Sequence, residues 1–152
     1  MRGCIEGYRP LVAPRELVGE LPDGPVHMHG APELIAQALD KLVDNARSFA
    51  PEHGWIRIAL ARGDDGARIT VTNSGPLLPP ALQDRLFESL VSLRPSSASD
   101  IAPHLGLGLY VVRLIAEAHR GRASARNLSD GSGVEFCIDL HGMARRPLAG
   151  ST

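Results

Sequence analysis

Residues 37–49, Gln37-Ala38-Leu39-Asp40-Lys41-Leu42-Val43-Asp44-Asn45-Ala46-Arg47-Ser48-Phe49, decide how the rest of the chain is read. At about 100° per residue, Ile35, Ala38, Leu39, Leu42, Ala46 and Phe49 fall on one broad apolar face of a helix. Lys41, Asn45 and Ser48 share the polar strip beside it. A helix packed on a sheet with such a strip at its border can hold a pocket between the two layers, and Asn45 is placed to look into it. Arg47, about 200° round the helix from Asn45, is expected to face solvent.

Before this helix, residues 25–30 (Pro-Val-His-Met-His-Gly) alternate apolar and polar and predict a short strand, with Pro32 placed to open the helix. His27 and His29 share one strand face, and with no third ligand nearby they read as exposed rather than as a metal pair. Residues 1–24, rich in Gly and Pro, read as an entering segment or a remnant of a linker, with one edge strand over 16–20. After the helix, residues 51–54 make a turn, and Ile56, Ile58 and Leu60 mark the buried face of a strand. Residues 62–66 turn it back into a second strand over 67–73. Asn73 has the parity of Ile69 and Val71, so a regular strand points its amide toward the helix-covered face, where a polar group needs a partner. Gly75, without a side chain, allows close approach of the backbone to a ligand.

Further on, Leu82, Leu86, Phe87 and Leu90 predict a short helix over 79–90. Residues 91–105 are small and polar, the composition of a functional or disordered loop. They run into Leu105-Gly106-Leu107-Gly108-Leu109 and a helix whose apolar side is expected at Leu107, Val111, Leu114, Ile115 and Ala118. Glycines at a helix start leave the backbone open, and the free N–H groups there suit phosphate. A strand over 121–127, a turn over 129–133 and a last strand with Val134, Phe136, Ile138 and Leu140 inward complete the domain, taken as 25–141, before a tail over 142–152. The order predicts an α/β fold of the α+β kind: a two-layer sandwich with a mixed, mostly antiparallel sheet and helices on one face.

The chain has 152 residues, of which 43% are hydrophobic, enough for one core of ordinary size. Its 16 basic and 17 acidic residues leave a net charge of −1, which argues against a nucleic-acid surface, and no basic block suggests direct membrane contact. Cys4 and Cys137 lie far apart and read as packing residues of a reducing compartment. No apolar run approaches the ~20 residues of a membrane helix. The chain is expected to be cytoplasmic.

Five motifs in order resemble the ATP-binding catalytic domain of bacterial sensor histidine kinases, within the Bergerat-fold class that also holds the gyrase, Hsp90 and MutL ATPases. Asp44-Asn45-Ala46 resembles the N box, Val71-Thr72-Asn73-Ser74-Gly75-Pro76 the first glycine box, and Leu86-Phe87-Glu88-Ser89-Leu90 the F box. Gly106-Leu107-Gly108-Leu109 resembles the second glycine box, and residues 131–136 the closing turn and strand.

The resemblance implies ATP and Mg²⁺ as cofactors, with Asn45 the metal ligand and, with Lys41, a catalytic residue. Nucleotide contacts are implied at Asn45, Ser48, Phe49, Asn73, Gly75, Leu78, Leu105, Gly106, Leu107, Gly108, Leu109 and Val134. Residues 91–105 become the lid, anchored by Phe87 and Leu90. The reaction implied is transfer of the γ-phosphoryl to a histidine on a dimerisation domain that this chain lacks, with a response regulator downstream. The chain thus reads as the cytoplasmic part cut from a larger, membrane-anchored sensor.

Several positions depart from the family pattern. Asn73 stands where an aspartate usually accepts from the adenine 6-amino group; an amide oxygen can still accept there. Ser48 replaces a phosphate-binding lysine, and Lys41, one turn before Asn45, can supply that charge. Leu77 and His104 replace glycines of the two boxes. In gyrase-like ATPases the position of Lys41 carries a water-activating glutamate, a role a protonated lysine cannot fill, so hydrolysis is disfavoured. A free-standing anti-sigma-type serine kinase and a non-catalytic nucleotide-binding module are the alternatives.

Overall fold

β2 (Trp55–Arg62) and β3 (Ala67–Ser74) form the hairpin that the alternation predicts, with Ile56 opposite Asn73 and Arg62 opposite Ala67. They lie at the centre of a computed structural model that describes residues 1–63, 65–83, 85–88 and 105–142. In chain order the elements are α1 (Arg2–Val12), β1 (Glu16–Glu20), α2 (Pro32–Phe49), β2, β3, α3 (Pro80–Gln83), α4 (Leu105–Ala118), β4 (Arg122–Asn127) and β5 (Gly133–Leu140). The five strands are ordered β1-β2-β3-β5-β4, with β1 parallel to β2 and every other pair antiparallel. Their inward residues Leu17, Ile56, Ile58, Ile69, Val71, Val134, Phe136, Ile138 and Leu140 share one buried core with α1, α2 and α4. This is the expected two-layer sandwich: a mixed, mostly antiparallel sheet with the helices on one face.

α2 starts with Pro32 in its first turn and stops where Pro51 forces Ala50 into extended backbone, at φ −71° and ψ 133°. Its buried stripe is Ala38, Leu39, Leu42, Val43, Asn45 and Ala46. Arg47 is exposed, as its position on the helix predicts.

The first 24 residues differ from the sequence expectation. Gly3, Gly7 and Pro10 suggest loop, yet residues 2–12 are helical, and Ile5, Tyr8 and Val12 repeat at helical spacing to enter the core. Burial of that stripe outweighs the weak local propensity. Pro10 lies inside the last turn and forgoes the bond an N–H there would make to the Glu6 carbonyl, a local cost that the buried stripe outweighs. The Tyr8 hydroxyl donates to the Asp40 carboxylate and ties α1 to α2; burial first, and Asp40 second, push the phenol pKa upward.

No strand forms over 25–30. Val26 and Met28 are half-buried while His27 and His29 are exposed, so the alternation is real. Val26 and Met28 line a cavity with Ile35 and Leu39 of α2, and Met28 packs against the core, with no strand ladder on either side. The expected helix over 79–90 contracts to α3. Beyond it Arg85 donates to the Leu82 carbonyl and Glu88 to the Arg85 carbonyl, three-residue turns rather than helical bonds. Leu86 and Phe87 still reach the core, Phe87 edge-on to Phe136 at 6.4 Å. On α4 the inward face is Leu109, Val112, Ile115, Ala116 and His119, whereas Leu107 and Leu114 are 46% and 42% exposed and Ala118 is exposed. The helix is turned by about a third of a turn from the expected face, with the small Ala116 and the polar His119 buried alongside the large aliphatics. Leu90, residues 91–104 of the expected lid and all of the tail except Gly142 lie outside the described residues.

Candidate functional site

Two asparagines, one on the helix and one on the sheet, are buried with unmet polar atoms. Asn45 on α2 is 3% exposed, and its Nδ2 has no hydrogen-bond partner among the described residues. Asn73 on β3 is 1% exposed; its Nδ2 donates to the Ser74 carbonyl at 3.0 Å, and its Oδ1 is without a partner among the described residues. Strand register explains the second case. Ile56, Asn73, Val134 and Asn127 form one row across β2, β3, β5 and β4, so the side chains flanking Asn73 are aliphatic. Leaving such an atom unpaired costs about 1–3 kcal/mol each. A ligand bearing a hydrogen-bond donor would satisfy Asn73 Oδ1, and one bearing an acceptor, such as a phosphate oxygen, would satisfy Asn45 Nδ2.

α4 closes the site. His119, 0% exposed, accepts the Ala31 N–H on Nε2 at 3.1 Å and turns Nδ1–H to the Ile115 carbonyl at 2.8 Å, joining the start of α2 to the end of α4. Farther along, Lys41 Cδ lies 3.7 Å from where a Cβ at Gly108 would stand. The helices therefore run antiparallel. Asn45 is as many residues from Ala31 as Leu105 is from His119, which puts Asn45 level with the first turn of α4, about 20 Å from the His119 contact. The N–H groups of residues 105–108 have no partner within a preceding turn of their own helix and carry its positive dipole end. Lys41 is half-buried, its stem along Gly108, and makes no ion pair among the described residues.

The other expected contacts divide. Ser48 is exposed in the last turn of α2, and Phe49 is half-buried. Gly75 has φ +135°, and a Cβ there would stand 2.7 Å from the Phe49 carbonyl oxygen, so its freedom serves a backbone approach to α2. Leu78 is buried, and Val134 is buried beside Asn73. Leu105, Gly106, Leu107 and Gly108 occupy the first turn of α4, and Leu109 points into the core.

Two supporting residues escaped the sequence reading. Asn127 accepts the Leu78 N–H at 2.8 Å and donates to the Leu78 carbonyl at 3.0 Å, fixing the segment after the first glycine box to β4. His119 is the other. For both, a signal was present: a polar residue at an inward strand position, and a histidine one turn after Ile115 on a helix of apolar residues.

No group of three or more His, Cys, Asp or Glu among the described residues could hold a metal alone. Asn45 fits a different arrangement, in which one neutral amide oxygen joins ligands brought by phosphates and water, the donor set Mg²⁺ prefers.

The family described as "Histidine kinase-, DNA gyrase B-, and HSP90-like ATPase" matches residues 30–142. This chain belongs to that family. It is 39% identical over 111 residues to the sensor protein ChvG of Rhizobium meliloti (strain 1021), covering 70% of this chain and 19% of that protein. To the sensor protein CreC of Escherichia coli (strain K12) it is 32% identical over 116 residues, covering 76% and 24%. The chain thus spans about a fifth of the length of such relatives. The mycobacterial sensor histidine kinase MprB shares its fold with a TM-score of 0.76 at 25% identity, covering 93% of both chains. The catalytic domain of the histidine kinase ThkA does so at 0.74 and 25%, covering 91% of this chain and 89% of that one.

Proposed function

We propose that this domain binds Mg-ATP between α2, β3 and α4 and, as part of a longer sensor kinase, supplies the γ-phosphoryl to a histidine on that protein's dimerisation domain. The observation that carries the reading is the pair of buried amides with unmet atoms, Asn45 on the helix layer, level with the glycine-rich start of α4, and Asn73 on the inward face of the sheet. Asn45 turns its oxygen to the metal, whose contribution when bound is to neutralise charge on the phosphates. The N–H groups of residues 105–108 meet phosphate oxygens. Lys41 brings its ammonium to the same oxygens, in the place of the lysine that Ser48 lacks. Asn73 Oδ1 accepts from the base, with Leu78 and Val134 around it. Nothing in this set activates water, since Lys41 is a cation where hydrolysis needs a base. The set positions ATP for an external nucleophile.

Relatives named as sensor proteins favour this reading over a free-standing serine kinase or a non-catalytic module. They also favour a response regulator as the next acceptor and a membrane-anchored parent protein whose cytoplasmic part includes this domain. Among the described residues no helix is long and apolar enough to cross a membrane. Calorimetric titration with a non-hydrolysable ATP analogue, with and without Mg²⁺, tests the reading. Heat of binding that strengthens with Mg²⁺ is expected; no binding under either condition would refute it.

A further inference from the structure

An asparagine is a two-faced reader. A carboxylate at position 73 could only accept hydrogen bonds, whereas an amide can present its oxygen or, turned over, two N–H donors. Which face Asn73 offers decides which bases the pocket takes: an oxygen selects an exocyclic amine, and an NH₂ selects a carbonyl. Here the Nδ2 is committed to the Ser74 carbonyl at 3.0 Å, and the Oδ1 is the open atom. Turning the amide would set two acceptor oxygens against each other.

The lock is only as firm as the Ser74 carbonyl, and that carbonyl is held from several sides. It shares a planar peptide unit with the Gly75 N–H, which donates to the Ser132 carbonyl at 3.3 Å; the plane directs the Ser74 oxygen the opposite way. The Ser74 hydroxyl accepts the Trp55 N–H at 2.9 Å and donates to the Trp55 carbonyl at 3.4 Å, tying the end of β3 to the start of β2. Gly54 leaves room for that hydroxyl, since a Cβ there would stand 2.3 Å from it. Gly75 rests against Phe49 of α2.

We propose that Ser74 is a positioning residue for base selectivity: anchored through its hydroxyl to Trp55, it fixes the Asn73 amide with oxygen toward the pocket, so an uncharged side chain admits 6-amino purines and rejects 6-oxo purines. The proposal rests on the reading that Asn73 faces the base. ATP and inosine triphosphate, which differ at the 6-position edge, are the probes.

Calorimetric titration of the domain in Mg²⁺ should give ATP an affinity at least ~10-fold above that of inosine triphosphate. Ser74→Ala should lower the ratio several-fold, and Ser74→Thr, which keeps the hydroxyl, should restore it. Asn73→Asp should hold the ratio whether or not Ser74 is changed, because a carboxylate has no donor face. Equal affinities in the wild type, or a ratio that Ser74→Ala leaves intact, would overturn the lock. A wild type that binds neither nucleotide would instead refute the Mg-ATP reading, and the lock with it. Should Ser74→Ala fail to fold, the side-chain amide resonances of Asn73 in isotope-labelled wild type decide. One slowly exchanging proton before nucleotide is expected, and two rapidly exchanging protons would overturn the proposal.

Discussion

Asn127 grips the backbone of Leu78 at both of its polar groups, accepting its N–H at 2.8 Å and donating to its carbonyl at 3.0 Å. An edge-strand side chain here does what a neighbouring strand does elsewhere. Asn127→Asp keeps the acceptor but sets a carboxylate against the Leu78 carbonyl, so stability should fall by about 1–3 kcal/mol. Urea unfolding should record the loss, with nucleotide affinity falling in parallel because Leu78 is proposed to line the base.

Asn45→Ala separates function from stability. The lost amide leaves no broken bond at Nδ2, which has no partner among the described residues, and relief of that unmet atom offsets the small cavity created. Stability without ligand should therefore change by less than about 1 kcal/mol. Calorimetry should show the Mg²⁺-dependent part of ATP binding gone. Equal losses with and without Mg²⁺ would contradict the ligand role.

Lys41→Met keeps the stem that packs along Gly108 and removes the charge. ATP affinity should drop about 10-fold, the range of one charge-assisted hydrogen bond, while the unfolding midpoint stays put. The wild-type affinity should also weaken more steeply with added salt than that of the variant.

Gly133 stands opposite Ser74, and a Cβ at this position would come 2.0 Å from the Asn73 carbonyl oxygen, a backbone atom with little freedom to move. Gly133→Ala should cost more than about 2 kcal/mol in chemical unfolding and disturb base binding as well. Survival of both properties would show that β3 and β5 can part.

Tyr8 gives the pH dependence a sign. Its phenol pKa is raised from the ordinary value of 10.0 by burial and by Asp40, so the folded state favours the protonated form. That contribution is complete below the unfolded value and declines as pH rises above it. Stability should fall as pH rises from about 10 towards the raised folded-state value. Tyr8→Phe should show a shallower fall on this limb, measured by urea midpoints.

The strand hairpins were legible because one buried face imposes period two, and every inward residue expected on β2, β3 and β5 is inward. Asn73 was legible by parity alone. The helix over 2–12 was not, because its stabilisation comes from three distant burials at Ile5, Tyr8 and Val12 rather than from local propensity. α4 was legible as a helix but not in its rotation, since a helix apolar on most sides gives periodicity little to choose between. Asn45 could be placed from the helix pattern. Its level with Leu105 could not, because that follows from antiparallel packing fixed by His119.

His119 joins α2 and α4 at the end remote from Asn45 and Leu105. The two helices are thus arranged as the arms of a pair of tongs, with the rivet at His119 and the jaws at the proposed phosphate site. A small rotation at the rivet is magnified over about 20 Å of helix. On the proposed reading, the grip on nucleotide is set partly by a side chain that never touches it.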